Sequence, residues 1–138
     1  VKHITSISWK LQPFSRIATC VPSPQSPVPA IVQSAAGADL FICEGMYGEK
    51  GKETKAQEHK HMTFYEAAAL AKEAAVKELW LTHYSPSLAH PEEFIKETRK
   101  IFAGTYPGKD KKSVTLRKMG ITRVLCQKFL VKKPAHLV

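Results

Sequence analysis

No apolar run in this 138-residue chain approaches the roughly 18 residues of a bilayer span, and no apolar signal core lies near its start. The chain therefore reads as a soluble, cytoplasmic protein. It lacks HExxH and CxxC metal motifs, and its seven glycines are scattered outside any phosphate-cradling loop. Three cysteines, Cys20, Cys43 and Cys126, are too few and too widely spaced for a zinc knuckle or a disulfide framework. They read as reduced packing residues. Acidic residues are missing altogether beyond Asp110: residues 111–138 hold eight Lys and Arg, whereas residues 1–110 hold 13 against 12 Asp and Glu. The net charge of +9 is thus a property of the tail, which is either a phosphate-attracting arm that reads no sequence or simply a solvated basic end.

What the chain does have is concentrated between His61 and Ser85. Thr63 and Glu66 have the spacing of a capping box, in which the hydroxyl and the carboxylate each satisfy a first-turn amide. Phe64, Ala67, Ala68, Ala71, Ala74 and Ala75 follow at helical spacing, small enough to lie close on a sheet. Lys72 and Glu73 face away. The run from Glu78 to Leu81 has the form of a short buried strand that delivers Thr82, His83, Tyr84 and Ser85 at its C-terminal end. One histidine therefore precedes a helix and another ends a strand, both at loop edges where chemistry usually resides.

The flanks add an α/β order. Ile4 to Trp9 and Arg16 to Cys20 are candidate strands, separated from the rest by the proline-rich Val21 to Pro29. Pro29 to Ala36 fits a short helix stopped by Gly37, and Asp39 to Cys43 reads as a buried strand ending at Glu44. Gly45 to Lys60 is polar and lysine-rich, with helical character from Lys52 to His59, and reads as a mobile carrier of His61. Pro91, Glu92 and Glu93 open a further helix, the two carboxylates favoured by its macrodipole. Its apolar face is Phe94, Ile95, Thr98, Ile101 and Phe102. Gly104 to Lys112 reads as a turn and Ser113 to Leu116 as a last strand. The expected architecture is one sheet with helices on one face, over residues 27–116, with residues 1–26 poorly defined and residues 117–138 a basic extension. Ile121 to Leu125 and Lys128 to Lys132 could pair within that extension.

Glu44, His61 and His83 form the one polar constellation in the body of the chain. A carboxylate bonded to an imidazole fixes its tautomer and suits a general acid. At a strand end His83 could instead ligate a metal through one ring nitrogen, or be a structural hydrogen-bonding residue. His59 reads as exposed, and His90 as a cap for the helix that follows it.

The run from Ala38 to Leu88, including ADLFICEGMYGE and KHMTFYEAAALAKEAAVKELWLTHYSPS, closely resembles the C-terminal half of ribonuclease Z and related metallo-β-lactamase-fold hydrolases. The likeness extends more loosely over about residues 27–116. The family's His-Glu-Ala-Thr, His-Ser-Thr and Leu-Thr-His stand here as Cys43-Glu44-Gly45-Met46, His61-Met62-Thr63 and Leu81-Thr82-His83. The resemblance implies the second half of an αββα sandwich. It implies that His83 ligates zinc, that His61 donates a proton to the leaving group and that Glu44 orients His61. It also implies a two-metal phosphodiesterase that processes the 3' end of precursor tRNA.

The family's His-x-His-x-Asp-His motif is absent from the sequence. Its bridging Asp would follow the strand at Arg16 to Cys20, where Val21-Pro22-Ser23-Pro24 stands instead. Of the expected protein ligands His83 alone is present. The chain by itself is therefore expected to be inactive, to expose an apolar sheet face, and to need a complementary half or self-association. The alternatives are a truncated or degenerate relative without catalysis, and a hydrolase of the same fold acting on small molecules. Glu44 and His61 favour the nuclease over the small-molecule hydrolases.

Overall fold

In the computed structural model, which describes residues 17–20, 28–117 and 121–125, four strands form an all-parallel sheet in the order β1-β2-β3-β4. They are β1 (Ile17–Cys20), β2 (Leu40–Glu44), β3 (Glu78–Thr82) and β4 (Thr105–Pro107). The crossovers are helical, as parallel neighbours require. α1 (Val28–Ala35) links β1 to β2, α2 (Glu53–Glu58) and α3 (Phe64–Glu73) link β2 to β3, and α4 (Glu92–Thr98) links β3 to β4. Two further strands, β5 (Ser113–Arg117) and β6 (Ile121–Leu125), pair antiparallel as a separate hairpin.

The register decides which side chains meet. Phe41 and Cys43 lie opposite Leu79 and Leu81, and this face joins Ile31 of α1, Phe64, Ala67, Ala68 and Ala71 of α3 and Ile95 of α4 in the main core. The α3 alanines at 67, 68 and 71 are fully buried, so the helix backbone approaches the sheet as their size allows. The predicted capping box is present: Thr63 Oγ1 accepts the Glu66 amide at 3.2 Å, and the Thr63 amide donates to Glu66 Oε2 at 2.8 Å.

Several sequence expectations change. The α3 stripe stops before Ala75, which is exposed and has φ 51. The Ala75 and Val76 amides donate to Lys72 and Ala71 carbonyls at 3.1 and 3.2 Å, a left-handed helix stop made without glycine. Gly104 to Lys112 is not all turn, because it contains β4. Ser113 to Leu116 does not extend the main sheet but forms β5, whose partner is β6 rather than a later segment of the tail. Lys128 to Lys132 and Ile4 to Trp9 lie outside the described residues. β1 pairs with β2 residue for residue, so Ile17–Cys20 belongs to the sheet of residues 27–116.

The far face of the sheet is also less bare than half a sandwich would imply. Leu40 and Trp80 there are 0% and 1% exposed, with Ile17 and Ile42 packed beside them. The Lys112 ammonium lies 4.5 Å from the Trp80 ring centroid, its charge attracted by the π-face. Among the described residues the exposed large apolar side chains are Val28 and Tyr106. No described helix is long and apolar enough to cross a membrane.

Candidate functional site

Glu44 is the last residue of β2, and its Cα partner is Thr82. Its carboxylate is 1% exposed, a position an anion holds only when fully hydrogen-bonded. Three donors meet it. Met62 N–H reaches Oε1 at 2.9 Å, His83 Nδ1 reaches Oε2 at 2.9 Å, and His61 Nδ1 lies 3.2 Å from both oxygens. The two imidazoles stand edge to face with centroids 5.3 Å apart.

Each imidazole is placed by a left-handed non-glycine residue, His83 itself in one case and Lys60, the residue before His61, in the other. Regular alternation along β3 would send His83 after Leu81 onto the helix side, away from the Glu44 face. At φ 60 the alternation ends and the ring turns to Glu44. Lys60, also at φ 60, closes α2: its amide and that of His61 donate to Gln57 and Ala56 carbonyls at 3.0 and 2.8 Å. Non-glycine residues in this region carry strain that the surroundings must sustain.

Those surroundings include residues 45–48, the start of the segment read as a mobile carrier of His61. Gly45 N–H donates to Thr82 O at 2.8 Å, Met46 N–H to Met62 O at 2.8 Å and Phe64 N–H to Tyr47 O at 2.9 Å. Residues 45–48 are buried. A Cβ on Gly45 would come within 2.8 Å of the Phe64 ring, so a larger residue there would require the ring to shift. On the other side Tyr84 donates its hydroxyl to the Leu81 and Gly108 carbonyls, tying the turn after His83 to the chain beyond β4.

The arrangement fixes proton positions. An ionised carboxylate only accepts, so both histidines present N–H at Nδ1, leaving each Nε2 as the free functional atom. Neutral, such an Nε2 is a base or a metal ligand; protonated, it is an acid. A carboxylate behind the ligating imidazole is the usual support of a histidine–metal bond. Among the described residues Glu44, His61 and His83 are the one group of His, Cys, Asp or Glu whose ligand atoms lie close enough, within 4.8 Å, to hold a metal. Zinc fits this set in part. His83 Nε2 suits a ligand, but Glu44 is already engaged by three donors, and a catalytic zinc usually takes three protein ligands.

The structure thus brings together all three residues singled out in the sequence. His59 and His90 are exposed and outside the site; α4 is capped at Pro91 with no side-chain cap bond, so His90 does not cap it. Sequence reasoning placed Tyr84 at the strand end without a role and missed the Met62 amide, since a backbone donor and a tyrosine bonded to carbonyls leave no motif. On the helix side of the site Cys43 shares a thiol hydrogen bond with Cys20. That bond, together with burial, pushes the Cys43 thiol well above its ordinary range, while it draws Cys20 below.

No family model matches the chain. Solved structures place its fold. Human tRNase Z, short form, superposes with a TM-score of 0.58 over 75% of this chain and 34% of its own, at 23% identity. A metallo-β-lactamase fold protein from Bacillus subtilis gives 0.58 over 80% and 40%, at 22% identity. The fold is therefore a portion of the metallo-β-lactamase fold. In sequence the chain is similar to ribonucleases Z. It is 69% identical over 90 residues to ribonuclease Z of Lachnoclostridium phytofermentans and 61% identical over 90 residues to that of Agathobacter rectalis, 65% of this chain and 30% of each relative. The chain spans about 30% of the length of the curated relatives it matches.

Proposed function

We propose that this chain supplies one side of the active site of a ribonuclease Z-type phosphodiesterase, cytoplasmic and acting on the 3' end of precursor tRNA. The observation that supports it most is the convergence of His61 and His83 on the buried Glu44 within a segment of ribonuclease Z sequence. Zinc, when bound, supplies the activated water and the charge that the phosphate requires. The chain's own residues supply the rest. His83 offers Nε2 as a ligand, its ring held by Glu44. His61, held at Nδ1 by the same carboxylate, presents Nε2 to hand a proton to the departing oxygen. Glu44 sets both tautomers at once, and the Met62 amide keeps it from rotating.

A second reading, that the chain by itself is not catalytic, is favoured by the ligand set: the described residues contain one metal-capable group, of which one atom is free to ligate in the expected role. The remaining ligands would come from a complementary segment with His-x-His-x-Asp-His. The test is single-turnover cleavage of precursor tRNA by the chain mixed with such a segment from a ribonuclease Z. Cleavage should appear in the mixture and fall by about 10² to 10⁴-fold in His61→Ala, the usual worth of a general acid. A mixture whose cleavage is indifferent to His61→Ala would refute the assignment.

A further inference from the structure

Behind the Glu44 carboxylate, on the helix side of the sheet, three sulfur atoms meet that the proposed reaction does not use. Cys20 and Cys43 are direct partners in the β1–β2 ladder, so their side chains leave the sheet on the same face. Met62, one residue after His61, brings its Sδ to 4.0 Å from Cys43 Sγ. Cys43 is fully buried and Cys20 is 7% exposed, which makes Cys20 the approach from outside.

Thiolates and thioethers together select soft ions such as Cu(I) over hard cations. Two metal–sulfur bonds of about 2.3 Å can span sulfurs up to about 4.6 Å apart, so the Cys43–Met62 distance already suits one shared ion. A disulfide suits the pair less well. Neighbouring strands run about 4.7–4.9 Å apart, and in-register parallel side chains keep roughly that spacing at Cβ, against a mean near 3.8 Å in disulfides. A bridging ion needs no such approach of the strands.

We propose that Cys20, Cys43 and Met62 form a separate, all-sulfur site for Cu(I) or a similar soft monovalent cation. On binding, two S–H bonds break, two copper–thiolate bonds form and the thioether completes the set. Both protons pass to solvent, and copper stays monovalent. The ion ties β1 to β2 and to the His61–Met62 peptide, so it stiffens the wall behind Glu44 without occupying the histidines.

The test is anaerobic titration of the full chain carrying Cys126→Ser with Cu(I) against a chromophoric Cu(I) chelator, followed by native mass spectrometry and X-ray absorption at the copper edge. One copper with sulfur neighbours alone is expected. Cys43→Ala should weaken binding by more than about 10-fold, the least that loss of even an outer-shell partner of a metal costs. Met62→Leu, which conserves core volume, should weaken it too while leaving the thermal melt unchanged, so that failed folding cannot imitate the result. No bound copper, nitrogen neighbours at the edge, or an affinity unmoved by either substitution would overturn the site.

Discussion

Glu44 and His83 meet at 2.9 Å across the C-terminal ends of two neighbouring parallel strands, with the carboxylate 1% exposed and the imidazole 17%. Because His61 and the Met62 amide converge on the same group, one buried side chain organises both loop edges of the site. Glu44→Ala should therefore destabilise the chain by about 1–3 kcal/mol, the usual cost of stranding buried partners. Urea denaturation checks this, and a loss near zero would show that the network is not structurally important.

The capping box gives a second expectation. Thr63→Ala removes the acceptor of the Glu66 amide and should cost about 1 kcal/mol, whereas Thr63→Ser should restore most of it. Thermal melts of the two variants separate loss of the cap from loss of the buried methyl.

Ala75 offers a gain instead of a loss. It takes the left-handed position that ends α3, at φ 51, which costs a residue with a Cβ roughly 1–2 kcal/mol. Ala75 is exposed, so Ala75→Gly should raise stability by up to about that amount. An unchanged or lower midpoint would count against the strain.

The sheet and its helices were legible because their signals are local: apolar runs at 39–43 and 78–81, the Thr63–Glu66 spacing, and prolines or acids at helix starts. β4 was missed because three residues, one of them Pro107, carry the signature of a turn; their strand character comes from pairing with β3, which is tertiary. The same holds for β5, whose pattern announces a strand but not its partner. At the site, the residue types and their places at element ends could be read from the chain. The left-handed turns at Lys60 and His83 could not, since neither residue favours that conformation and the packing around Glu44 imposes it.

A pH dependence follows from Glu97. Hydrogen bonds from Lys100 and Lys50, at 2.7 and 3.3 Å, hold its carboxyl below the ordinary glutamate range. A carboxylate whose pKa falls on folding adds stability above its unfolded pKa and loses it as pH drops through the folded value. The melting difference between the parent chain and Glu97→Gln should accordingly be small, present at neutral pH, and lost as the pH falls through the lowered range of this carboxyl. A difference that is the same at pH 3 and pH 7 would contradict the pairing.

In the proposed function Glu44, His61 and His83 form one side of a zinc site whose other ligands lie on a separate segment. Zinc stoichiometry measures it directly, by metal analysis of the purified chain alone and after mixing with a ribonuclease Z segment bearing His-x-His-x-Asp-His. Substoichiometric zinc is expected on the chain alone, with zinc retained by the mixture and a marked loss from the mixture in His83→Ala. Stoichiometric zinc on the chain alone, or a mixture whose zinc content is untouched by His83→Ala, would contradict it.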